Sequence, residues 1–154
     1  MRSVYAAVAL GLGTLALGAC SQEATETEEA AAPLTATEGK LYLPAVEGNP
    51  AAVYFELENT GDRAISVRRA DVEGAGSAEL HDYMEYDDTE MGSIGQVTVQ
   101  PGETASFEPG EQHVMAFDLD PSLEAGGTTT VTLTMVGGKT MEFEADIMPA
   151  DAER

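Results

Sequence analysis

From Lys40 to Ile147 the chain runs in short stretches where apolar and polar residues alternate, broken by Gly, Pro, Asn or Asp about every 8 to 12 residues. That rhythm predicts an all-β sandwich or barrel. The stretches read as strands are Lys40 to Leu43, Ala52 to Glu58, Ala64 to Asp71, Ser77 to Tyr83, Gln96 to Val99, Thr104 to Phe107, His113 to Leu119, Thr128 to Met135 and Thr140 to Asp146. The last two form a hairpin about Val136-Gly137-Gly138-Lys139, and Gln100-Pro101-Gly102-Glu103 is a turn between two others. After the amino-terminal segment no long run has a 3.6-residue period, so helix is limited to a turn near Pro121 to Glu124. No internal repeat is present.

The first 19 residues have a different pattern. A single positive residue, Arg2, precedes an apolar run from Val4 to Ala19 that ends Leu17-Gly18-Ala19-Cys20. A charged start, a short apolar stretch and small residues before a cut predict a signal peptide over 1–19 rather than a membrane span. The ending resembles a lipobox. It implies acylation of Cys20 and a membrane contact made through lipid chains, with Ser21 leaning toward the outer membrane over the inner by lipoprotein sorting rules. Residues 20–37, Ala, Thr and Glu with one Pro, bury too little to fold alone and read as the acylated Cys and a flexible acidic tether. The folded domain is expected over 38–148, with a disordered tail over 149–154.

Cys20 is the only cysteine, so no internal disulfide forms and no thiolate is available to a blue-copper centre. Acidic residues number 28 against 7 basic; loss of Arg2 leaves 28 against 6, a charge of −22. Nucleic-acid binding, which needs a basic surface, is excluded. The charge keeps the domain soluble and concentrates cations near it without selecting a metal.

The chemistry lies in two histidines, both close to methionines: His81 with Met84 and Met91, and His113-Val114-Met115. Thioether sulfur is soft and imidazole borderline, so Met and His without thiolate suit Cu(I) better than zinc, calcium or magnesium. His113 and Met115, two apart on a predicted strand, share a face. Met135, Met141 and Met148 lie in or after the terminal hairpin with no His neighbour and read as core filler. The acidic run Asp82, Glu85, Asp87, Asp88 and Glu90 lacks the glycine and terminal Glu of a calcium loop and reads as a solvated loop.

Met91, 21 intervening residues and then His113-x-Met115 resemble the motif of the PCuAC family of periplasmic copper chaperones. Glu79-Leu80-His81 is similar to that family's run into its first histidine, and Ala52 to Asp62 to its strand ending in an Asn-x-Gly turn. Nine residues separate His81 from Met91 where the family has about ten, so Met84 is an alternative third ligand. The resemblance covers roughly residues 38 to 147. It implies a cupredoxin-like Greek-key fold and Cu(I) held by His81, Met91, His113 and Met115. It further implies a carrier, not an enzyme, that delivers copper in the bacterial periplasm to the copper subunit of apo-cytochrome c oxidase, working with a Sco-type protein. Two rival readings are a copper-sequestering buffer, and a structural or adhesive β-sandwich lipoprotein in which His and Met are incidental. A hydrolase is disfavoured, since both histidines are already engaged and no nucleophile-elbow motif is present.

Overall fold

The computed structural model describes residues 33–84 and 90–153. The segments read as signal peptide over 1–19, as tether up to residue 32, Cys20 included, and as a solvated acidic loop over 85–89 lie outside the described residues. Ten strands follow in order: β1 Leu34–Tyr42, β2 Ala51–Asn59, β3 Ile65–Val72, β4 Ala75–Met84, β5 Glu90–Ser93, β6 Val97–Val99, β7 Thr104–Phe107, β8 His113–Leu119, β9 Thr128–Met135 and β10 Thr140–Met148. They form one sheet in the order β5-β4-β8-β2-β1-β10-β9-β3-β6, with β7 also paired to β2. Every pairing is antiparallel except β1 with β10.

The sheet cannot be flat. β3 and β4 stand near opposite ends of the strand order, yet only Glu73 and Gly74 join them, and these bond to Thr130 and Asp120 through the backbone. The sheet therefore curls into the half-barrel of a cupredoxin-like all-β fold. Its concave side is filled by every second residue: Val53, Phe55 and Leu57 from β2, Val114 and Ala116 from β8, Val131 and Leu133 from β9. Phe55 and Phe107 stack with ring centroids 4.1 Å apart, where β7 lies against β2. Met135 is buried and Met141 packs against this core, as expected of filler.

Three boundaries differ from the sequence reading. β1 starts at Leu34, inside the stretch read as tether: Leu34 is buried and pairs with Asn59, while the Thr and Glu between face solvent, where polar residues cost nothing. The register of β1 shifts between Thr37 and Lys40, with Glu38 at φ 56°. Gly39 is required there, since a Cβ would lie 2.6 Å from the Glu144 carbonyl oxygen. β5 was not foreseen, because Glu-Met-Gly-Ser has no alternating β-branched residues. At the other end the tail is held: the Tyr42 hydroxyl donates to the Glu153 carbonyl at 2.8 Å.

Candidate metal centre

β4 and β8 pair so that His81 faces His113 and Glu79 faces Met115 across the ladder. Leu80, Val114 and Ala116 point into the core, so the pleat sends Glu79, His81, Tyr83, His113, Met115 and Phe117 to the convex face. His113 is nonetheless only 3% exposed. Tyr54 and Tyr83 pack over it, with ring centroids 6.1 and 6.0 Å from the imidazole.

The two imidazole centroids are 6.0 Å apart. An imidazole-bound ion lies about 3.2 Å from the ring centroid, given N–metal distances near 2 Å, so two rings on one ion are separated by up to about 6.4 Å. The observed separation fits a shared ion.

Hydrogen bonds decide which nitrogens are offered. Nδ1 of His113 lies 2.9 Å from the Glu111 carbonyl oxygen, which only accepts; Nδ1 therefore carries the proton and Nε2 the lone pair. Nε2 of His81 lies 3.3 Å from a Glu79 carboxylate oxygen, so it donates, and the lone pair falls on Nδ1. That Nδ1 is buried and has no hydrogen-bond partner among the described residues. A bare buried nitrogen is costly unless a ligand meets it. A metal-ligating histidine is oriented in this way, its second nitrogen tied to a carboxylate or carbonyl.

Among the described residues no three His, Cys, Asp or Glu side chains are grouped to hold an ion. The further donor on this face is the thioether of Met115. In β5, Met91 takes the register position opposite Tyr83, and Ser93 that opposite His81, so these positions have the parity of the histidine face. Met84 pairs with Glu90 and occupies a position of the other parity.

Sequence reasoning missed Glu79 and Tyr83 as parts of the site. The signal was available: both stand two residues from His81 on the same strand, where side chains share a face. Tyr54 came from β2, and only the pairing of β2 with β8 brings it near.

Residues 29–147 match the family model described as "Putative lipoprotein LpqE-like". The chain belongs to the LpqE-like family. One relative, "Putative lipoprotein Lxx21020" of Leifsonia xyli, is 28% identical over 103 residues, spanning 66% of this chain and 62% of its own length. Among solved structures, the copper-bound PCuAC domain from PmoF2 superposes with a TM-score of 0.65 at 17% identity, covering 78% of this chain and 96% of that one. The Cu(I) form of DR1885 from Deinococcus radiodurans gives 0.62 at 22% identity, covering 87% and 89%. The fold is thus that of PCuAC domains, in a lipoprotein family, as the sequence resemblance implied.

Proposed function

We propose that this LpqE-like protein is a lipid-anchored, extracytoplasmic copper carrier that holds Cu(I) through His81, Met91, His113 and Met115. The observation that carries this reading is the facing pair of histidines. They are set at a separation suited to one ion, each has one nitrogen tied to a protein acceptor, and a thioether lies on the same face. The register of β5 supports Met91 over Met84 as the third ligand. Two imidazoles and two neutral thioethers favour the monovalent, soft ion and avoid thiolates that would oxidise outside the cytoplasm. The copper-bound and Cu(I) states of the PmoF2 and DR1885 domains, which share this fold, support the choice of metal.

By family analogy the recipient is the copper centre of cytochrome c oxidase, with a Sco-type protein as partner. Acylated Cys20 would keep the carrier at the membrane where such a recipient sits. X-ray absorption of the Cu(I)-loaded protein tests the site: mixed nitrogen and sulfur scatterers are expected, with sulfur reduced in the Met115→Leu and Met91→Leu variants. A coordination sphere without sulfur would refute it. Delivery separates from buffering by phenotype, since loss of a delivery protein impairs growth at limiting copper and loss of a buffer impairs growth at toxic copper.

A further inference from the structure

Beside the histidines the convex face opens into a recess of about 170 Å³. His113 and Met115 form part of its wall, and Tyr42, Tyr54, Tyr83, Pro44, Pro50 and Ala52 supply the rest. We infer that this recess is the entry port for a methionine side chain of the copper acceptor, an inference that rests on the Cu(I) reading of the site.

Three features point to that occupant. Two of the proposed ligands line the recess, so a group entering it meets the metal rather than bare protein. The size suits a side chain: a cavity of about 150 Å³ accommodates benzene with its six carbons, and a methionine side chain has fewer heavy atoms. The aromatic and proline walls, in a chain of formal charge −21, disfavour an anionic thiolate or carboxylate, which would lose solvation and meet repulsion. A neutral thioether has neither penalty. At the rim Tyr83, 43% exposed, offers aromatic surface to the acceptor.

Transfer by this route is associative. A lone pair on the entering sulfur forms a Cu–S bond as the bond from Met115 or His113 breaks. Copper remains Cu(I) throughout, and the thioether has no proton to lose.

The test follows Cu(I) exchange between the loaded protein and a neutral peptide carrying several methionines, using NMR line shapes of the His81 and His113 ring protons. In the wild type the rate is expected to rise in proportion to peptide concentration. Ala52→Leu, which fills the recess, should lower that slope at least about tenfold, while the Cu(I) dissociation constant stays within about twofold. Tyr83→Ala, at the exposed rim, should raise the slope. A rate independent of peptide concentration, or slopes unaffected by both substitutions, would overturn the entry port. Absence of Cu(I) binding by the wild type would instead overturn the copper reading itself.

Discussion

Near the two ends of β2 lie buried polar atoms in opposite conditions. At its carboxyl end Asn59 is fully buried, and its amide is fully engaged: Nδ2 donates to the Arg63 and Val99 carbonyls at 2.8 and 3.0 Å, and Oδ1 accepts from the Gly61 amide at 3.0 Å. At its amino end the strand runs beside His113 through β8, and across β8 lies His81 with a buried nitrogen that bonds to nothing among the described residues. The first arrangement closes a turn and stabilises the fold. The second leaves binding capacity unspent, which costs stability and is retained where a ligand repays it.

Substitution should separate the two ends cleanly. The largest effect is expected at the histidines: His81→Ala with His113→Ala should weaken Cu(I) binding well beyond the about 100-fold typical of residues that only orient a ligand, while His81→Ala alone, which removes the unpartnered nitrogen, should leave the thermal midpoint of the metal-free protein close to that of the wild type. Asn59→Leu should do the reverse, costing about 3 kcal/mol by leaving three backbone groups unpaired, with Cu(I) affinity unchanged in the fraction that folds; urea unfolding beside metal titration checks both. Next comes Glu79, which orients His81. Glu79→Leu is expected to weaken Cu(I) about 10-fold, with Glu79→Gln, which keeps an accepting oxygen, restoring most of it. ¹⁵N NMR of the loaded protein should also show His81 bound through Nδ1 in the wild type and through a mixture of nitrogens in Glu79→Leu.

The smallest effect lies far from both ends. Bonds from the Ser122 side chain and backbone hold the Asp120 carboxyl below its ordinary value. A carboxylate depressed in the folded state stabilises above the unfolded value, near 3.9, and that contribution is lost as pH falls through the folded value. Asp120→Asn should therefore lower the thermal midpoint slightly at pH 7, and the difference should shrink as pH falls below the unfolded value, near 3.9.

Much of this contrast was legible in the sequence. Alternation located nine of the ten strands, because a one-sided buried sheet imposes a period of two on its residues. The pairing of His113 with Met115 followed from the same period. β5 was not legible, since four residues at a sheet edge, with Gly92 among them, carry no propensity signal and are ordered only by pairing with β4. The start of β1 was hidden for a related reason: Thr35 and Thr37 face solvent, and composition alone gave no sign that Leu34 reaches the core. Local pattern could not show that His81 and His113 meet, because their distance along the chain is closed only by the β4–β8 register. The choice of ring nitrogen depends on Glu79 and the Glu111 carbonyl at atomic distance, which residue spacing does not encode.

The most direct measurement is an anaerobic Cu(I) titration of the mature chain against a chromophoric chelator, wild type beside the His81→Ala, His113→Ala double variant. Tight one-to-one binding, lost in the variant, is the result expected of a copper carrier. Equally weak binding by both proteins would contradict a copper function and favour a structural β-sheet lipoprotein.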